Sequence, residues 1–236
     1  MLDTNDMNAR LHAFLDASPW AMHITPAQMD SVRHAATVRR FTAGSTIGLR
    51  GSPAMHWMGV IDGMLKVDTI ALDGRSTTFA GVPAGAWFGE GAALKGEHRP
   101  YAVVSISDCI VAFMPRDTFL MLIDESRGFS RWVIDQLNAR LGHYVALVES
   151  FRLQDVTTRV AYCLAELFNP QLYPSTSRQL VISQEELARL CGLSRQNVNR
   201  ELHKLADLGL LRIRYGAIEV MQLEGLQQFA RGAAAV

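Results

Sequence analysis

Ten glycines punctuate the stretch from Phe41 to Gly91: Gly44, Gly48, Gly51, Gly59, Gly63, Gly74, Gly81, Gly85, Gly89 and Gly91. Short apolar runs lie between them. Short strands joined by tight turns give a barrel or sandwich. Asp73-Gly74 is the clearest hairpin turn, joining Met64–Ala71 to Arg75–Ala80. Tyr101–Ser107 and Cys109–Met114 read as the last strands.

The flanks follow a different period. Leu11, Phe14 and Leu15 have helical spacing, and Thr25-Pro26-Ala27-Gln28 reads as a capped helix start. From about Phe119 helical spacing takes over. Phe129, Val133, Leu137, Leu141, Tyr144, Leu147 (or Val148) and Phe151 form an apolar stripe on one helix of roughly seven turns. So long a helix with so narrow a stripe predicts a helix–helix seam between two copies; the alternative is a helix packed on its own barrel. Asp155 can cap a further helix, Val156 to about Phe168, which Asn169-Pro170 ends. Pro174-Ser175-Thr176-Ser177 is a loop, and Leu180–Ile182 a short strand.

Composition excludes several classes. With 236 residues, 49% hydrophobic, the chain can bury the cores of two small domains. Its 23 basic and 23 acidic side chains balance, so any nucleic-acid surface must be a local patch. Cys109, Cys163 and Cys191 are scattered, without zinc or iron–sulfur spacing, and fit buried thiols in a reducing compartment. Met1–Arg10 lacks a signal-peptide pattern and no run is long enough for a membrane span, so a cytoplasmic location is expected. His56 and His98 have no context that singles them out for haem or metal and are expected on the surface or in loops.

The most specific chemistry lies near the C-terminus. Ser183-Gln184-Glu185-Glu186 reads as a capping box, with Leu187 and Leu190 burying a first helix. Cys191-Gly192-Leu193 is the turn, and Ser194 caps a second helix whose inner face is Val198, Leu202 and Leu205. Arg195, Gln196, Asn199, Arg200 and His203 fall outside, the first four of them toward the end that enters a major groove. Arginine suits guanine O6 and N7, while glutamine and asparagine suit adenine N6 and N7. With Ser183, Ser194 and Asn197 these residues form the expected DNA-binding set. Leu208–Ile213, Tyr215-Gly216 and Ala217–Met221 read as a two-stranded wing.

The segment from Ile182 to Arg200 resembles the helix-turn-helix of the CRP/FNR superfamily of transcription regulators. The glycine-rich half agrees: Phe41 with Gly44, Gly51-Ser52-Pro53, Ile61-Asp62-Gly63 with Lys66, and Trp87-Phe88-Gly89-Glu90 followed by Arg99. So does the long helix ending in Leu153-Gln154-Asp155-Val156-Thr157, and the likeness runs from about Leu11 to Leu223. It implies an α+β chain with no catalytic site: a jelly-roll type, cyclic-nucleotide-binding-like β-roll over 1–122, a dimerisation helix over 123–153, and a winged helix-turn-helix over 154–236. It further implies a homodimer on palindromic double-stranded DNA, activation through RNA polymerase by a surface near Pro170–Arg178, and base reading by Arg195 and Arg200. The glutamate that lies between those arginines in the family is Gln196 here.

By the same resemblance, Gly89-Glu90 and Arg99-Pro100 stand where a glycine–glutamate and an arginine–serine pair hold cyclic AMP. Tyr101, Arg140 and Tyr144 join them as candidate effector residues. Pro100 offers neither hydroxyl nor amide hydrogen. Tyr144-Val145 replaces a threonine–serine pair on the purine side, and the Glu90–Arg99 interval is one residue shorter. Ordinary cyclic AMP is therefore disfavoured against a different cyclic nucleotide, a cyclic dinucleotide, another small effector, or no ligand, in which case Glu90 and Arg99 pair with each other or cap turns in a degenerate roll. Two other classes are weighed. A cupin enzyme is suggested only by Pro83-Ala84-Gly85, without the metal-binding histidines. A ligand-binding module acting through protein partners would leave the Ser194–Arg200 helix idle.

Overall fold

The computed structural model describes residues 4–70, 76–174 and 177–232. The chain opens with α1 (Thr4–Ala17) and α2 (Pro26–Ala35). The capping box of α2 forms as the sequence predicts: Gln28 N donates to Thr25 Oγ1, and Thr25 N to Gln28 Oε1. Eight strands follow: β1 (Thr37–Phe41), β2 (Thr46–Gly48), β3 (His56–Asp62), β4 (Met64–Ile70), β5 (Ser76–Pro83), β6 (Trp87–Phe88), β7 (Ala102–Ser105) and β8 (Cys109–Pro115), with α3 (Glu90–Lys95) between β6 and β7. They make two four-stranded sheets, ordered β1-β8-β3-β6 and β2-β7-β4-β5. β4 and β5 pair antiparallel as expected, while the Asp73-Gly74 turn lies outside the described residues.

Alternation along β3 explains the layering. Met58 and Val60 face the other sheet and join Leu65, Val82, Val103 and Val111 in the interior of the roll. Trp57 faces outward, into an aromatic cluster with Trp20, Trp87, Phe119 and Phe129 from the flanking helices. Gly59 is needed there, because a Cβ would stand 2.5 Å from the Phe14 ring. All three cysteines are buried and unpaired, as expected. His56 departs from expectation: it is the first residue of β3, half-buried against Phe113, and burial foremost lowers its pKa.

After α4 (Arg116–Glu125), Ser126 caps α5 (Arg127–Leu153), 27 residues or ~40 Å long. The single stripe expected on this helix is really two. Phe129 and Val133 are fully buried and Leu137 partly so, all three against the chain's own aromatic cluster. Ile134, Leu141, Val145 and Val148 point to solvent on an adjacent stripe. Ile134, Leu141 and Val148 recur every seven residues, the spacing of a coiled-coil seam. The inner face therefore packs on the chain's own roll and helices, and the exposed stripe is left as the face for the expected seam.

The C-terminal unit comprises α6 (Val156–Glu166), β9 (Gln179–Leu180), α7 (Gln184–Cys191), α8 (Arg195–Asp207), β10 (Leu211–Arg214), β11 (Ala217–Val220) and α9 (Leu223–Ala230). The strand expected at Leu180–Ile182 begins one residue earlier and pairs with β11. Its core includes Val160, Leu164, Leu187, Val198, Leu202 and Leu205, together with Met64 from the roll. A Cβ at Gly81 of β5 would meet Met64 Cε at 2.6 Å and Leu167 Cδ2 at 2.9 Å, so glycine permits this close docking. Buried Lys66 of β4 bonds to both carboxylate oxygens of Glu186 on α7, at 2.9 and 3.0 Å, with Asp68 at 3.4 Å. The capping box expected at Ser183 is consequently half formed. Ser183 Oγ accepts from Glu186 N, while the Glu186 carboxylate turns to Lys66.

Candidate DNA-reading face and effector site

α7 and α8 form the helix-turn-helix. Gly192 ends α7 at φ 62°, a left-handed conformation in which a side chain is strained. Ser194 caps α8 by accepting from Asn197 N at 3.2 Å. Val198, Leu202 and Leu205 are wholly buried, which fixes the rotation of α8 about its axis. Arg195, Gln196, Arg200 and His203 are thereby exposed on the outer face. Asn199 is less free than expected, since its Nδ2 donates to Gln184 Oε1 at 2.7 Å and ties the two helices. Asn197 is partly buried and Ser183 exposed.

Two residues here were given no part in the expected DNA-binding set. Tyr215 is fully exposed at the tip of the β10–β11 hairpin, where Gly216 takes φ 67°. It lines one groove with Ser183, Gln184, Arg195 and Arg214, so the wing tip and the start of α8 present a common surface. Glu201 is 1% exposed and accepts at 2.7 Å each from Arg200 Nε, Lys204 Nζ and Thr157 Oγ1. Burial alone would raise its pKa, but the bonds from Lys204, Thr157 and Arg200 outweigh this and hold it at about 2. Only the pattern of a charged residue on an apolar helix face could have flagged it.

The effector candidates gather at the mouth of the roll. Gly89, at φ 92°, turns the chain so that Glu90 points inward. Glu90 and Arg99 are both buried, yet they do not pair with each other among the described residues. Glu90 Oε1 accepts from Arg140 Nε of α5 at 2.6 Å, and Arg140 Nη2 donates to Trp87 O at 2.5 Å. Arg99 Nη2 reaches only His56 O, at 3.4 Å. Glu90 Oε2 and Arg99 Nη1 are buried with no hydrogen-bond partner, and Nη1 faces the Gly89 backbone. Burial lowers the Arg99 pKa, and burial raises those of Tyr101 and Tyr144. Pro100 itself is exposed.

A third partner comes from the C-terminal unit. Leu172 and Tyr173 are buried in the interior cluster of the roll, with Tyr173 beside Arg140 and Tyr144; burial raises its hydroxyl to about 12. The segment is strapped to α5 by Gln136 Nε2 to Gln171 O at 3.0 Å. Within the Pro170–Arg178 segment expected to face RNA polymerase, Leu172 and Tyr173 are thus buried, while Pro170, Gln171, Pro174, Ser177 and Arg178 are exposed. Among the described residues no cluster of His, Cys, Asp and Glu could hold a metal ion, and no helix is long and apolar enough to cross a membrane.

The chain matches the family model of the cyclic nucleotide-binding domain over residues 38–126 and that of the Crp-like helix-turn-helix domain over residues 158–229. It is 27% identical to a cyclic AMP receptor protein of Thermus thermophilus, across 93% of this chain and all of that protein. It is 26% identical to a CRP-like cAMP-activated global transcriptional regulator of Mycobacterium tuberculosis, across 96% of this chain and all of that one. The fold is shared with FixK2 from Bradyrhizobium japonicum, at a TM-score of 0.69 and 20% identity over 82% of this chain and 96% of that structure. One family match covers most of the β-roll and the other most of the winged helix-turn-helix, and the chain belongs to the CRP/FNR family of DNA-binding transcription regulators.

Proposed function

We propose that the protein is a cytoplasmic homodimer, with a roll over 1–122, a dimerisation helix over 123–153 and a DNA-binding unit over 154–236, that reads a palindromic operator through α8. The observation that carries this reading is the outer face of α8. Its apolar positions are fully buried, so Arg195, Gln196 and Arg200 are left to enter a major groove, with Ser183, Ser194, Asn197, Asn199 and His203 around them. Tyr215 and Arg214 extend the surface to the flanking backbone. The exposed stripe of α5 is the seam that sets two such faces ~34 Å apart.

The effector site favours a small anion that also carries a hydroxyl. The buried, unpartnered Arg99 Nη1 suits a phosphate oxygen and Glu90 Oε2 a sugar hydroxyl. The Thermus thermophilus and Mycobacterium tuberculosis relatives are named as a cyclic AMP receptor protein and a cAMP-activated regulator. In this chain Pro100 and Tyr144-Val145 argue for a different cyclic nucleotide or a cyclic dinucleotide. The Glu90–Arg140 ion pair supports a second reading, a roll satisfied internally and used without ligand. Contact with RNA polymerase would use what is exposed around the Pro170–Arg178 loop.

Selection of bound duplexes from a random pool tests the whole reading, run with and without cyclic mononucleotides and dinucleotides. The expected product is a two-fold symmetric motif with half-sites one helical turn apart. Recovery of unenriched DNA under every condition would refute it.

A further inference from the structure

We infer that Glu201 is a positioning residue for base recognition, holding the Arg200 guanidinium so that only its terminal Nη1/Nη2 edge faces the DNA. The inference rests on the proposed base-reading role of Arg200.

Three observations carry it. First, the carboxylate is itself immobilised. Glu201 is 1% exposed, and its Oε2 is held at 2.7 Å by Lys204 Nζ, one turn along α8, and by Thr157 Oγ1, in the first turn of α6. Its position is thus fixed by a neighbouring helix as well as by its own. Second, the other oxygen, Oε1, takes Arg200 Nε at 2.7 Å. A charge-assisted bond of this kind restrains a side chain that would otherwise sample many rotamers. Third, the Arg200 side chain remains 62% exposed, and its Nη1 and Nη2 make no hydrogen bond among the described residues.

The consequence is geometric. A free arginine can address guanine O6 and N7 either end-on, through Nη1 and Nη2, or side-on, through Nε and one Nη. With Nε given to Glu201, the side-on mode is closed and the end-on mode is pre-oriented, so less side-chain entropy is lost on binding. A buried carboxylate this close to the DNA also repels phosphates. Glu201 therefore sharpens discrimination at one base pair while opposing sequence-independent affinity.

The test uses full-length protein and the duplex recovered by random-pool selection, with fluorescence anisotropy on that duplex, on its single base-pair variants and on random DNA. R200A should lower the preference at one symmetric base pair by tenfold or more. E201Q should lower preference at that same pair at least threefold, leave other positions unchanged, and bind random DNA as well as wild type or better. E201D, which keeps the charge but withdraws it by one methylene, should lose preference as E201Q does. In the R200A background, E201Q should change the preference no further. Thermal melting of each variant shows whether it is folded, and ratios between duplexes measured on one preparation cancel any inactive fraction. If R200A retains the preference, the base-reading role of Arg200 falls and the inference with it. If R200A loses preference while E201Q keeps it, only the positioning role falls. Wild-type preference in E201D with loss in E201Q assigns the effect to charge and overturns the inference. So does an equal loss on every duplex.

Discussion

Charging the exposed stripe of α5 should dissociate the dimer without unfolding the protomer. Ile134, Leu141, Val145 and Val148 are 50%, 63%, 61% and 49% exposed in the single chain. Fully burying such a side chain is worth ~1.5–3 kcal/mol, so the exposed remainder of each is worth about 1–2 kcal/mol. Four on each of two protomers give about 8–16 kcal/mol gross. The loss of translational and rotational freedom on association opposes this with ~4–15 kcal/mol. The balance is close enough that half the stripe decides it. Leu141→Asp with Val145→Asp removes about 4–8 kcal/mol per dimer and brings like charges together across the seam. The dissociation constant should rise by about a thousandfold or more. Sedimentation velocity at micromolar concentration reads this directly, with unchanged thermal melting as the control. Operator affinity should collapse with it, because one protomer reaches one half-site only. Leu137→Asp is the contrasting case. It packs on the aromatic cluster inside the chain and should cost stability instead. A double variant that still sediments as the wild-type dimer, or a wild type that is monomeric, refutes the assignment of this stripe.

Other outcomes follow from the same structure. Arg195→Ala should weaken binding to the selected duplex by about 1–3 kcal/mol and binding to random DNA less, as read by anisotropy; equal losses would place the side chain on phosphates. Lys66→Met strands the carboxylates of Asp68 and Glu186 at the docking face and should cost about 3 kcal/mol in urea unfolding, recovered in large part when Asp68→Asn and Glu186→Gln are added. Arg99→Ala should abolish any effector-dependent gain in DNA affinity while leaving the melting temperature near wild type, and calorimetry with cyclic nucleotides and dinucleotides should lose its heat. Acid unfolding has a predictable sign. The folded pKa of Glu201, about 2, lies below its ordinary value of 4.5, so its stabilisation is complete above pH 4.5 and is lost as pH falls toward 2. Glu201→Gln should flatten stability across that window.

What the sequence revealed is what short-range chemistry dictates. Thr25-Pro26 and Gln28, Ser194, Gly192 and Asp155 each act within three residues of themselves, and each does in the structure what its type and spacing demand. Glycine spacing with short apolar runs between likewise pointed to a barrel or sandwich of short strands, and two four-stranded sheets form. Boundaries drifted by one to three residues at β9 and β10, where short strands are set by pairing with β11 rather than by their own composition. α9 has no strong cap, since Gln222 makes no side-chain bond there, and its helical stripe is brief. It went unread for that reason.

The misreadings share one cause, which is a partner far away in the chain. Glu186 has the type and spacing of a capping-box residue, and the local rule is sound. It fails because Lys66, 120 residues earlier, is buried within 3.0 Å and offers a cation where the cap offers only a backbone amide. Glu90 and Arg99, nine apart, look like a pair. Yet Glu90 bonds Arg140 on a helix 50 residues on, and Arg99 is left facing the turn at Gly89. Leu172 and Tyr173 sit in a segment bounded by Pro170 and Pro174 that reads as loop, but they fill the mouth of the roll beside Arg140. The α5 stripe was read as one face because periodicity alone does not tell a surface that meets the same chain from one that meets another. In two of these cases, Glu186 with Lys66 and Leu172-Tyr173 in the roll, the competing interaction joins the roll to the C-terminal unit. Pairs this distant in sequence leave no mark in spacing or residue type near either partner, and so they are the part that local sequence rules cannot read.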